Sequence, residues 1–447
     1  MSPWRDAARA CPGCSPGILL SRNSQRSHPA AEPRSGLRGP FKAHEGSSTR
    51  MGGRHAHPTG PALGAPRLIL ASVVAVLGVV IAAMVWLWPD TEPRHLPATA
   101  TQQLSGTVTS IKAQPCPKAA QNKVANPGDQ AVAVCGTVDI RLADGPEPGR
   151  GVTTKLPSGV GAPVVAVSDD VVVNYTAANP EDLRYALVDH QRGTQLWTLL
   201  AAFALAILAF GRWRGLTALA GLIITFAVVL MFVIPAILVG RPPMLVAIVG
   251  SAAIVLTVLY LTHGLSRATS VAVAGTLASL ALTGLLSFVA VEATELSGVA
   301  DETSSILGQL YGVNMRGLLL AGILIGSLGV LDDVTVTQAV TVQELAEANP
   351  DYRFSELYSA ATRVGRAHIA SVINTIILAY AGASLPLIVL ITALNDPIGQ
   401  VLSDQLVATE LVRSAVGTIG LIAAVPITTA LASLWAAHTA DAQAQRG

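Results

Sequence analysis

"LLLAGILIGSLGVLDDVTVTQAV", Leu318–Val340, decides the fold. Its first half reads as a membrane helix. Its second half carries Asp332, Asp333, Thr335, Thr337 and Gln338. At mid-bilayer an aspartate disfavours insertion by about 2.5–3.5 kcal/mol, whereas a leucine or isoleucine returns only about 0.3–0.6. Such a segment stays in a membrane only if its carboxylates face protein or water. Helical spacing places Gly322, Gly326, Gly329, Asp333 and Thr337 on one stripe. Gly322 and Gly326 form a small-xxx-small pair that permits close helix approach. The expectation is that this stripe presses Asp333 into the bundle. Asp332 is turned by about 100° on the helix, beside Leu328 and Val336, and diverges from its neighbour.

The rest of the chain fits a polytopic α-helical membrane protein. Of 447 residues, 51% are hydrophobic and only 13% charged, with a mean hydropathy of +0.52. Soluble domains carry about 25% charged residues. The net charge of +1 gives no reason to expect a nucleic-acid partner. All five lysines (Lys42, Lys112, Lys118, Lys123, Lys155) precede residue 156. The apolar part therefore lacks the lysine a phosphate-binding loop requires, and the chain contains neither a His-Glu-x-x-His zinc pair nor a Gly-x-Ser-x-Gly elbow. The reading calls for no enzyme activity and no cofactor, and specifies no metal.

Residues 1–66, rich in Pro, Gly, Ser, Arg and His, read as a disordered cytoplasmic tail, with Met51 as an alternative start. Cys11 and Cys14 have redox or metal spacing but no βα context and no second pair. A first span is expected over 67–89, with Arg50, Arg54 and Arg67 before it and Trp86 and Trp88 at its end. A signal peptide is the alternative, although the apolar run is long for one. Residues 90–192 read as a β-rich extracytoplasmic domain. "LSGTVTSI", "AVAVCGTVDI", "APVVAVSDDVVVNY" and "LRYALVDH" are its β-branched runs, separated by turn residues. Cys116 and Cys135 in this domain are candidates for a disulfide, or two unpaired thiols.

Seven further spans are expected within 193–438, near 194–210, 216–239, 244–262, 268–291, 317–340, 367–394 and 406–437, followed by a cytoplasmic tail at 439–447. Arg212, Arg214, Arg267, Arg353, Arg363, Arg366 and Arg446 all fall on one side of this arrangement. The acidic 292–302 stretch falls on the other. The positive-inside rule then gives eight spans in the plasma membrane with both termini cytoplasmic. Pro235, Pro386 and Pro426 fall within spans and kink them.

The candidate intramembrane polar site is Asp332, Asp333, Thr337, Arg366 and Asn374. Asp333 lies as far from the end of its span as Asn374 lies from the start of the next. Glu410, Arg413 and Ser414 form a second group, with Glu410 and Arg413 spaced to neutralise each other. A structural role, fixing the bundle, competes with ion, proton or solute handling. Aspartyl hydrolysis is disfavoured, because adjacent residues on a regular helix do not converge on one water.

Two runs carry a family resemblance: "GLLLAGILIGSLGVLDDVTVTQ" (317–338) and "RVGRAHIASVINTIILAYAGASLPL" (363–387). The chain resembles the YibE/F family over roughly 100–440. The resemblance implies a multi-pass plasma-membrane protein without an established activity. The position after Gly365-Arg366, acidic in many relatives, is Ala367 here. The leading expectation is a transporter or permease for an ion or small solute. In it, Asp333 and Asp332 bind a cation or exchange a proton, and Asn374 is a neutral ligand. The alternative is a non-catalytic envelope assembly or scaffold factor working through residues 90–192. The expected partners are the lipid bilayer and an unidentified ion or solute; nothing in the sequence sets an oligomeric state.

Overall fold

The structure is a computed structural model that describes residues 65–90, 101–115, 134–158, 161–394 and 397–444. The expected tail before residue 65 and Cys116 lie outside these residues. The first helix, α1, spans Ala65–Leu87. Its described inner positions, Val80 and Leu87, are buried, and Trp88 stacks on Phe232 at 5.8 Å.

Five antiparallel strands follow: β1 (Thr101–Pro115), β2 (Val134–Leu142), β3 (Gly151–Lys155), β4 (Asp170–Thr176) and β5 (Tyr185–His190). They form one sheet in the order β3-β2-β1-β4-β5. Alternation puts Leu104, Val108, Val138, Ile140, Val171, Val173 and Leu187 into a core of the domain's own. The sheet curls until its edges meet, where the buried Thr154 hydroxyl donates to the Tyr185 carbonyl at 2.6 Å. A bulge between Val108 and Ser110 accompanies this curvature. β3 escapes the sequence pattern because Val152 is its only large apolar residue facing inward. Residues 162–169, read as part of a strand, precede β4 as turn and irregular chain. Cys135, at the start of β2, is disulfide-bonded.

Among the described residues, six segments are long and apolar enough to cross a membrane, and Ser72–Leu87 is a shorter apolar stretch. The first, Gly193–Leu238, contains α2 (Gly193–Val228), a π turn at Val229–Val233 and α3 (Ile234–Leu238). Arg212 breaks α2, with φ 50° and ψ −124°. The chain folds so tightly there that a Cβ on Gly215 would lie 2.4 Å from the Ile207 carbonyl oxygen. The expected spans 194–210 and 216–239 flank this break. α4 (Pro243–His263) and α5 (Arg267–Ala293) follow. α6 (Glu302–Tyr311) is a short helix with a reciprocal Asp301–Ser304 cap, inside a region read as loop. α7 (Met315–Ala348) holds the opening sequence. α8 (Phe354–Ala383), α9 (Leu385–Leu394), α10 (Ile398–Ser403) and α11 (Gln405–Ala444) complete the chain.

Two boundaries correct the sequence reading. The expected span 367–394 begins earlier, at Phe354, and divides at Ser384. The Glu356 carboxylate accepts from the Arg353 amide at 2.8 Å and starts the helix. Pro386 lacks the amide that would continue the ladder. The expected tail 439–447 is helical as far as Ala444. Pro426 lies inside α11 as expected.

Candidate functional site

α7 begins where the Asn314 side chain accepts from the Gly317 amide at 2.9 Å. It has two contrasting faces. One carries Leu324, Leu328, Leu331, Thr335, Gln338 and Val342, all buried. The other carries Gly322, Gly326, Gly329 and Asp333, all exposed. A Cβ on Gly322 or Gly329 would meet nothing within 4 Å, and one on Gly326 would meet only the Tyr380 hydroxyl, at 3.8 Å. The expected burial of the glycine stripe is therefore reversed. A glycine offers no apolar side chain to bury, and the leucine and hydroxyl face of the same helix fills the bundle instead.

Close approach is achieved by glycines on other helices. A Cβ on Gly275 of α5 would lie 2.3 Å from Thr428 Oγ1, and one on Gly420 of α11 would lie 2.0 Å from Thr283 Oγ1. Gly365 of α8 leaves room for Gln338, whose Nε2 and Oε1 would lie 2.8 and 2.9 Å from its Cβ. Small hydroxyl side chains fill the seam where α5, α7 and α11 pack. The Thr276 and Thr335 hydroxyls are 2.6 Å apart. Thr429 donates to Gln338 Oε1 at 2.9 Å, while Gln338 Nε2 is buried with no hydrogen-bond partner. Sequence reasoning missed this seam. Its signal was the recurrence of Thr276, Ser279, Thr283 and Ser287 at three- and four-residue steps on α5.

The two aspartates do diverge, with their expected roles exchanged. Asp332 is half-buried, and its Oδ1 is enclosed without a hydrogen-bond partner. Asp333 is the outer residue, its side chain 69% exposed. One Asp333 carboxylate oxygen lies 4.0 Å from Nε2 of His368 on α8. Thr337, partly buried, donates to the Asp333 carbonyl at 2.8 Å, an ordinary intrahelical bond. Both carboxylates lie about 24–26 Å along α7 from Arg316. Arg316 pairs with Glu292 at 2.7 Å at that end. In a hydrocarbon layer about 30 Å thick, the aspartates fall in the far third of the span.

Arg366 and Asn374 do not join them. Arg366 is exposed and lines a shallow groove with Tyr358, Ser359, Thr362 and Arg363. Asn374 is exposed about half a turn away from Gly365, which faces the bundle. α8 approaches α7 at Gly365 and His368, and its Ile369, Val372 and Ile376 pack against the hydrophobic core of the bundle. Little of the apolar stretch of α8 is buried. Glu410 and Arg413 lie 3.7 Å apart on one face of α11, and Ser414 follows on the same helix. Among the described residues no three His, Cys, Asp or Glu side chains converge as a metal site would require.

Long apolar helices around a hydrophobic core, preceded by a curled antiparallel sheet, define a helical integral membrane protein. The family model for YibE/F-like proteins matches residues 199–438, more than half the chain, and the protein belongs to that family. No curated protein and no solved structure matches the chain.

Proposed function

We propose that this protein is a plasma-membrane permease, without cofactor or enzymatic activity, that moves an ion or small solute along the α7–α8 face. Eight spans with cytoplasmic termini complete the reading: α1, the two halves of the broken Gly193–Leu238 segment, α4, α5, α7, α8 with α9, and α11. The observation that carries it is the Asp333–His368 approach across two helices, with the unpartnered Asp332 oxygen one residue away. A carboxylate at this depth is disfavoured in lipid, and its retention marks an ion or proton pathway. Asp333 and His368 are 4.0 Å apart, too far for a hydrogen bond and close enough for one proton or cation to change their interaction. The exposed glycines beside Asp333 leave the adjoining space open. Arg366 and Asn374 have no part in this version of the site.

The test compares Asp333→Asn and His368→Gln proteins reconstituted in proteoliposomes. Both are expected to insert and melt as wild type does, and both to lose ion- or proton-coupled flux. Normal flux in both variants contradicts the proposal. The scaffold reading draws on one specific observation, the sheet's own hydrophobic core. Under it, removing residues 101–190 abolishes function while Asp333→Asn is tolerated.

A further inference from the structure

A second site lies at the opposite end of the bundle from the Arg316–Glu292 pair. A cavity of about 310 Å³ opens between the first turn of α5, the last turns of α7 and α11, and the start of α8. Val271, Leu357 and Ala432 give it apolar walls. Arg267 and Glu347 put charges of opposite sign on the same lining. The two do not pair with each other, and Arg267 has no ion pair among the described residues. Glu347 accepts a hydrogen bond from Gln343 at 2.8 Å, which fixes one carboxylate oxygen and leaves the other available. Trp435 adds its ring to the wall.

An unpaired cation and an available carboxylate around an apolar space match a ligand bearing both charges on an apolar body. A guanidinium recognises a carboxylate or phosphate, and a carboxylate recognises an ammonium. The apolar walls take the remainder, as in other small-molecule sites. The volume is at the lower end of the range for such sites and corresponds to about ten waters. It accommodates a compact solute, and of a two-chain lipid only the headgroup. We propose that this cavity binds a small zwitterion with an apolar side group, of the α-amino-acid class. The proposal is independent of the aspartate site and stands whether or not flux depends on Asp333.

The experiment uses the full chain purified in detergent and four probes. Phenylalanine carries both charges, phenylalaninamide lacks the carboxylate, N-acetylphenylalanine lacks the ammonium, and phosphatidylethanolamine presents both charges on a lipid. Saturation-transfer NMR reads the free solutes, and native mass spectrometry reads lipid retention against phosphatidylglycerol. Phenylalanine is expected to bind, with each single-charge analogue roughly tenfold weaker or more. Arg267→Gln is expected to remove the discrimination against phenylalaninamide alone. Glu347→Gln is expected to remove the discrimination against N-acetylphenylalanine alone. Both residues are exposed at the rim, so the fold tolerates the changes. This crossed pattern does not arise from a general loss of structure. If phenylalanine fails to bind but phosphatidylethanolamine is retained over phosphatidylglycerol, and both variants abolish that preference, the cavity takes a lipid headgroup and the amino-acid proposal is overturned. Failure of both zwitterions to bind, or discrimination that survives both substitutions, overturns the proposal.

Discussion

The two faces of α7 make opposite use of polar residues. On the inner face, Thr335 and Gln338 are fully buried and neutral, and they bond to Thr276 and Thr429 on neighbouring helices. On the outer face, Asp333 is ionisable, exposed and only approached by His368. The inner groups are uncharged: Thr276, Thr335 and Thr429 are hydrogen-bonded, while the Ser279, Thr428 and Ser433 hydroxyls and Gln338 Nε2 are buried without a partner, at a lower desolvation cost than a charge would carry. A carboxylate in the same seam would need a charged partner that the seam lacks. The bundle thus keeps the Asp333 carboxylate off the packed seam.

The sharpest way to break this contrast is to fill each face. Gly275→Leu and Gly420→Leu place atoms where Thr428 and Thr283 already stand. Overpacking of this kind costs about 1–3 kcal/mol or more, read as a lower melting temperature in detergent. Gly322→Ala and Gly329→Ala meet open space and are expected to leave melting unchanged or slightly raise it. Equal loss from both sets would mean that the outer face is packed after all.

Smaller effects follow. Gln338→Met keeps the side-chain volume, removes one orphaned donor and leaves the Thr429 hydroxyl without its acceptor. The opposing consequences leave a net change of about 1 kcal/mol or less, measured by the same melting assay. Glu410→Gln breaks a partly exposed pair on α11, and its expected cost is about 0–1 kcal/mol.

The smallest effect belongs to the antiparallel sheet. Asp139 accepts hydrogen bonds from Ser110 and Thr153, with Lys112 at 3.8 Å, and these hold its carboxyl below the ordinary value of 3.8. A carboxyl depressed in the folded state stabilises above its unfolded pKa, and that contribution is lost as pH falls through the folded value. Wild-type protein is therefore expected to lose a little stability below about pH 4. Asp139→Asn removes that part of the acid dependence, which a pH series of thermal melts detects.

The sequence made the spans legible because runs of Leu, Val, Ile and Ala near the length of a bilayer have few other uses. It also showed the break around Arg212 and most of the strands. It did not show which way α7 faces. Both the glycine stripe and the Leu331, Thr335, Gln338, Val342 stripe recur with helical spacing, and one helix alone does not say which stripe has neighbours. That answer was divided among the glycines of α5, α8 and α11 and the hydroxyls opposite them. The same limit misplaced Asn374: position along α8 says nothing of the rotation about its axis, which depends on Gly365 fitting against Gln338. His368 was not among the candidates, and only the pairing of α7 with α8 brought it to Asp333.

The most direct test of the outer face as the working site is a metal and solute inventory of three cell lines. One makes the wild-type protein, one lacks it, and one makes Asp333→Asn protein verified to be folded and inserted. The account predicts that the Asp333→Asn cells reproduce the inventory of cells lacking the protein. An inventory matching wild type, from a folded and inserted variant, would contradict it.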